Sequence, residues 1–207
     1  MTTSIKTPQL FSEPRLDHVA QLIGRTPLYE ITRAWSSPQV RIFAKLEWQQ
    51  LGGSVKSRPA FHILKAAIES GALRPGQRLL DATSGNTGIA YASIGAALGI
   101  PVSLCLPENA SPERIQILRS LGVDLILTSK FEGTDGAQIV AKERFARDPD
   151  RYFYADQYAN EANWRAHYDT TAVEIWEQTQ GKISHFVAGL GTTGTFTGVG
   201  RRLKRYR

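Results

Sequence analysis

Three short segments carry residue types able to do chemistry together. Ser54-Val55-Lys56-Ser57-Arg58 offers a primary amine on a long flexible stem, with Leu51-Gly52-Gly53 before it and a helical pattern after it. Thr83-Ser84-Gly85-Asn86-Thr87-Gly88 offers hydroxyls and an amide on a turn ahead of a helix, a cradle the size of a carboxylate. Gly189-Leu190-Gly191-Thr192-Thr193-Gly194-Thr195 offers a glycine- and threonine-rich turn suited to a phosphate. An amine, a carboxylate cradle and a phosphate cradle in that order point to an aldehyde cofactor carrying a phosphate, held as an imine and exchanged for the substrate's amine. Such an exchange needs lysine, whose amine titrates readily when desolvated.

Each segment alone has a plainer reading. Lys56 could be an exposed lysine on a strand-to-helix loop, where most lysines lie. Ser84, Asn86 and Thr87 could each cap a helix, although one cap does not require four polar side chains in a row. Gly189 to Gly194 matches the spacing of a dinucleotide fingerprint. That reading expects an acidic residue on the next strand, and no acid follows Glu177. A phosphate cradle therefore ranks first, an empty helix entry second and a dinucleotide site third.

The elements that must position these segments alternate along the chain. Strands are predicted at Val40–Leu46, Arg78–Ala82, Val102–Leu106, Asp124–Thr128, Tyr152–Tyr154 and His185–Ala188. Helices are predicted at Arg58–Ser70, Thr87–Leu98, Pro112–Leu121, Asp135–Arg147 and Thr170–Thr179, with Gly71 and Gly99 closing the first two. Pro59 fits a first helical turn, and the nearly all-apolar Val102–Leu106 suits a sheet covered on both faces. The alternation implies an α/β fold with parallel strands and helices on both faces. Because the chain stops soon after the last glycine-rich turn, its C-terminal part is expected to be incomplete.

Bulk composition narrows the function. The 207 residues are 42% hydrophobic and 21% charged, ordinary for a globular protein with a real core. Much of the net charge of +6 falls at Arg201, Arg202, Lys204, Arg205 and Arg207, read as a solvated helix end. With no zinc pattern or RNA-binding signature beside it, no nucleic-acid partner is expected. No segment is long and apolar enough to span a bilayer, and Met1 to Pro14 lacks the apolar centre of a secretory signal. Cys105 is the sole cysteine, so no intrachain disulfide can form, and it is expected in the core. A cytoplasmic protein without membrane contact is expected. His18, His62, His167 and His185 show no ligand spacing, and no metal is expected. Tyr152, Phe153, Tyr154, Tyr158 and Trp164 are expected to pack between lobes or at a dimer surface.

In fixed order the segments resemble the cysteine synthase group of fold-type II pyridoxal phosphate enzymes. The resemblance runs from Ile23-Gly24-Arg25-Thr26-Pro27-Leu28 through Lys45-Leu46-Glu47, the three segments above, Leu106-Pro107-Glu108-Asn109 and Asp156-Gln157-Tyr158 to Gly198. The double threonine at Thr192-Thr193 looks more like the B-type enzymes, or O-phosphoserine sulfhydrylases. Departures fall at Arg25, Gln49-Gln50, Ser57 and Asp81-Ala82. The resemblance implies a two-lobed, tryptophan synthase β-like fold, with residues 48–155 as a smaller substrate-side domain and residues 1–47 plus 156–207 as a larger, incomplete cofactor-phosphate domain. It implies that Lys56 holds pyridoxal 5'-phosphate as an imine and then serves as general base. Asn86 would bond the ring oxygen; Gly191, Thr192, Thr193, Gly194 and Thr195 would hold the phosphate. Thr83, Ser84, Thr87 and Gln157 would grip the substrate carboxylate. The implied reaction is β-replacement on an O-acetyl- or O-phosphoserine by a sulfur donor, giving L-cysteine in a homodimer. The alternatives are a serine or threonine dehydratase-type β-elimination and a truncated, non-catalytic paralogue or fragment.

Overall fold

The computed structural model describes residues 13–83 and 85–207. Its elements run α1 (Glu13–Gln21), β1 (Leu28–Ile31), β2 (Ile42–Lys45), α2 (Ser57–Glu69), β3 (Arg78–Ala82), α3 (Asn86–Leu98), β4 (Val102–Pro107), α4 (Pro112–Ser120), β5 (Asp124–Thr128), α5 (Gly133–Arg147), β6 (Tyr152–Tyr154), α6 (Glu161–Ala166), a π-helical turn (His167–Thr171), α7 (Ala172–Gln178) and α8 (Gly194–Arg205). Among the described residues the strands form two sheets. β1 and β2 pair antiparallel, Leu28 opposite Lys45. The other four strands are all parallel in the order β5-β4-β3-β6, with Ala82 opposite Cys105 and Leu80 opposite Tyr154.

Alternation along the strands decides which helix covers which face. Leu80, Ala82, Cys105 and Tyr152 face Ala137 and Ala141 of α5. Leu79, Val102, Leu104 and Leu106 face the other way, into a larger core with Leu64 of α2, Ala90, Ile94 and Leu98 of α3, and Leu118 of α4. β4 is buried at all six positions, as a strand covered on both faces must be. Tyr152 is thus a core residue beneath α5 and not a lobe or dimer contact; it is 3% exposed.

The predicted strand at His185–Ala188 does not form. Residues 182–190 have no regular structure, and Val187 is 91% exposed. A strand is stabilised by its ladder, and this segment pairs with none of the described strands. The helix predicted from Thr170 begins earlier, at Glu161, because the Asn160 side chain accepts from the Ala162 N–H at 3.0 Å and caps it. The π-helical turn at His167 then offsets α6 from α7.

Candidate active site

Lys56 immediately precedes α2 and is half-buried. The chain reaches it through Gly52, whose φ of 87° is left-handed. A Cβ there would lie 2.9 Å from Ser57 Oγ and 3.1 Å from Ala90 Cα, so the loop is pressed against α3, one turn beyond the Thr83–Gly88 bend. Gln50 braces the loop: its Oε1 accepts from the Gly24 N–H at 2.9 Å, and its Nε2 donates to the Ser54 carbonyl at 3.1 Å. Burial holds the Lys56 pKa below the ordinary lysine value. That favours the uncharged amine, the form that attacks an aldehyde.

The first turn of α2 is anchored from inside the protein. Arg58 is fully buried, with Nε 2.7 Å from Glu47 Oε2 and Nη1 2.6 Å from Glu174 Oε1. Lys45 Nζ adds a contact of 2.6 Å to Glu174 Oε2, so two cations face two anions. Burial alone would raise the Glu174 carboxyl, but hydrogen bonds from Arg58 and Lys45 outweigh it and hold its pKa down at about 2.

β3 delivers the second segment. Thr83 and Thr87 are buried, Asn86 is exposed, and Thr83 Oγ1 accepts from the Gly85 N–H at 3.1 Å. Ser84 lies outside the described residues. The bend packs tightly on the sheet: a Cβ on Gly88 would sit 2.7 Å from Thr83 Cγ2 and 2.8 Å from Leu104 Cδ1. The Arg114 guanidinium of α4 lies over Gly85, where an added Cβ would be 3.1 Å from its Cζ, and brings positive charge to the bend.

The third segment enters α8 through Thr193, whose φ of 65° is left-handed and rare for a β-branched residue. The Thr193 side chain makes no cap, so the N–H groups of the first α8 turn, beside threonine hydroxyls, are not satisfied by it. Gly189 and Gly191 are exposed, with nothing within 4 Å of a Cβ at either. Gly194 meets Asn163 so closely that a Cβ would lie 2.1 Å from Asn163 Oδ1.

Two buried amides join the last two segments. Gln157, just past β6, donates from Nε2 to the Ala82 carbonyl at 2.7 Å and from its N–H to Asp81 Oδ2 at 3.3 Å. Asn163 donates from Nδ2 to the Gln157 carbonyl at 2.7 Å and to Thr192 Oγ1 at 2.9 Å. An unbroken line of hydrogen bonds therefore runs from the end of β3 to the glycine-threonine turn. Asp81 is 1% exposed, and burial pushes its carboxyl up to about 7. Asn163, the Arg58 cluster and His167 behind Thr195 were not read as site residues from the sequence. The helix predicted from Thr170 leaves Asn163 outside any predicted element, and its partner Thr192 is distant in the chain.

The donors fit a phosphate monoester with an aldehyde. An α8 start that its Thr193 side chain does not cap, with threonine hydroxyls beside it, stands at an open, glycine-lined turn, while a half-buried amine lies at the start of α2, on a loop packed against α3. The sequence pattern of the pyridoxal-phosphate dependent enzymes matches residues 19–207, and the chain belongs to that family. It is 49% identical over 191 residues to a cysteine synthase of Aquifex aeolicus, covering 91% of this chain and 58% of that protein. It is 44% identical over 184 residues to cysteine synthase B of Escherichia coli, covering 89% of this chain and 60% of that protein. The crystal structure of a cysteine synthase from Entamoeba histolytica superposes with a TM-score of 0.85 at 37% identity, over 100% of this chain and 61% of that one. The chain thus spans about three-fifths of the length of these relatives.

Proposed function

We propose that this chain carries the cofactor- and substrate-binding residues of a cysteine synthase, which makes L-cysteine from an O-activated serine and a sulfur donor. The observation that supports the reading is the packing of the Gly52 loop, which leads to the half-buried Lys56, against Ala90 of α3, together with the hydrogen-bonded line from the end of β3 to the Gly189–Thr195 turn. Pyridoxal 5'-phosphate, when bound, supplies the electron sink for the pair left at the substrate Cα.

The protein's part is positioning and proton handling. Lys56 would hold the cofactor's aldehyde through Nζ and, once the substrate amine takes its place, would serve as the base that takes the Cα proton and returns it. Thr83, Thr87 and Gln157 orient the substrate carboxylate, and Ser84 joins them in this reading. Gln157 already donates one Nε2–H to the Ala82 carbonyl, which leaves its second for a carboxylate oxygen. Asn86, exposed at the head of α3, would hydrogen-bond the cofactor's ring oxygen. Gly191, Thr192, Thr193, Gly194 and Thr195 hold the phosphate through amides and hydroxyls. The same reading assigns residues 48–155 to the substrate-side lobe and the flanking segments to the cofactor-phosphate lobe of a cytoplasmic homodimer.

Titration with pyridoxal 5'-phosphate tests it. A visible absorbance band of a lysine imine is expected, lost in Lys56→Ala. Product analysis with O-acetylserine and with O-phosphoserine plus sulfide should yield cysteine. Pyruvate in its place would move the assignment to β-elimination, and a folded protein without the band would refute the reading.

A further inference from the structure

His167 lies behind Thr195, and the chemistry proposed above leaves it idle. It is 1% exposed. Its Nδ1 lies 2.9 Å from Thr171 Oγ1 and its Nε2 3.2 Å from Thr195 Oγ1. Thr171 is also buried, at 3% exposed. The three groups form a line from the core to the first turn of α8.

An uncharged imidazole has one N–H and one lone pair, so the two hydroxyl contacts cannot both be donated by the ring. The position of that single proton sets the polarity of the whole line. With the proton on Nδ1, Thr195 must donate back to Nε2, and only oxygen lone pairs face the turn. With the proton on Nε2, the ring donates to Thr195 Oγ1, and the threonine's own proton is released toward an anion. Thr171 then donates to Nδ1.

We infer that His167 is a positioning residue for the phosphate turn: as the Nε2–H tautomer it directs the Thr195 hydroxyl proton onto a bound phosphate monoester. The inference rests on reading Gly189–Thr195 as a phosphate cradle. Backbone packing holds the geometry. A Cβ on Gly198 would lie 2.3 Å from the Trp164 carbonyl and 2.7 Å from His167 Cβ, so α8 lies directly against the π-helical turn that begins at His167. Burial pushes the His167 pKa down to about 3, and the Arg58 and Lys56 cations push the same way against Glu47. The ring is therefore uncharged at neutral pH and acts through its hydrogen bonds alone.

The test uses the full chain labelled with 15N in its histidine rings, with His167 assigned by the signals missing from His167→Gln. Pyridoxal 5'-phosphate, pyridoxal and inorganic phosphate are titrated separately, and absorbance is read on the same samples. With pyridoxal 5'-phosphate bound, a pyrrole-type Nε2 and a pyridine-type Nδ1 are expected. An Nδ1–H or imidazolium signal in a sample that shows the cofactor band overturns the inference and leaves the proposed function standing. A missing band overturns both. His167→Gln keeps an N–H donor near the Nε2 position, and His167→Leu does not. The leucine variant should bind pyridoxal 5'-phosphate about tenfold more weakly and the glutamine variant within about twofold of the parent, with pyridoxal bound alike by all three. Thr195→Val, which keeps the ring and the packing, should match the leucine variant. Equal losses in His167→Gln and His167→Leu, or none in Thr195→Val, would exclude the role.

Discussion

Asn163 donates one side-chain amide to Thr192 Oγ1 at 2.9 Å and to the Gln157 carbonyl at 2.7 Å, and so clamps two segments that the sequence separates by α6, the π-helical turn, α7 and a long loop. It is 6% exposed and its bond to the Gln157 carbonyl is buried, so that carbonyl has no water as an easy substitute. Asn163→Ala should lower unfolding stability by about 1–3 kcal/mol, since it leaves a buried carbonyl unsatisfied. Urea denaturation checks the magnitude. Pyridoxal 5'-phosphate affinity should fall with it, because the turn that holds Thr192 loses its brace.

The Arg58 knot gives a second expectation, with a pH signature. Glu174→Gln removes one of two anions facing a guanidinium with no exposed surface, and should cost about 3–5 kcal/mol. In the parent, Glu174 has a folded pKa of about 2 against an ordinary 4.5. A depressed carboxyl contributes stability that is complete above 4.5 and lost as pH falls toward 2. Acid denaturation of Glu174→Gln should therefore be shallower than the parent's across that window, and parallel curves would count against the account.

Asp81 has the opposite sign. Its folded pKa is about 7 against an ordinary 3.8, so the folded protein holds a proton that the unfolded chain has released. Its contribution to stability then declines as pH rises from 3.8 to 7 and is level above. Asp81→Asn should gain on the parent across that interval by up to about 4 kcal/mol. Melting temperatures of the two proteins at pH 4.5, 6 and 7.5 decide it; a constant difference would show that the carboxyl does not titrate there.

Gly88 tests how closely the substrate bend sits on the sheet. Alanine there places a methyl 2.7 Å from Thr83 Cγ2 and 2.8 Å from Leu104 Cδ1. The expected cost is about 1–3 kcal/mol, with Thr83 displaced. Gly88→Ala combined with Leu104→Val should recover part of the loss if the Leu104 contact is the cause. A thermal melt reads both.

Lys56→Ala, the variant that abolishes the cofactor band, should leave the cofactor-free protein as stable as the parent or slightly more so. Burial already opposes this ammonium, and a cation at the start of α2 runs against the helix dipole. A destabilised but folded Lys56→Ala would mean that the side chain has a packing role.

Local signals were enough for the elements of the parallel sheet. Arg78–Ala82, Asp124–Thr128 and Tyr152–Tyr154 form the strands their apolar runs predict, and Gly99 ends α3 in the left-handed conformation expected of a closing glycine. His185–Ala188 has an apolar strand-like core too, yet a strand also needs a partner, which no local pattern encodes. β1 is four residues long with a half-exposed pattern, too weak to read before β2 is laid beside it. The proposed site divides the same way. Lys56, the Thr83–Gly88 bend and the Gly189–Thr195 turn are contiguous and visible as motifs. Asn163, His167 and Arg58 act through partners far along the chain, and only folding brings those partners within reach.

Cys105 is wholly inaccessible between α5 and the rest of the sheet, and burial pushes its thiol up to about 11. A protein proposed to handle sulfide thus keeps its one sulfhydryl out of the traffic, neither competing for the donor nor scarred by it. A thiol-reactive dye added to this chain has a single address, and it can be delivered only when the central strands part.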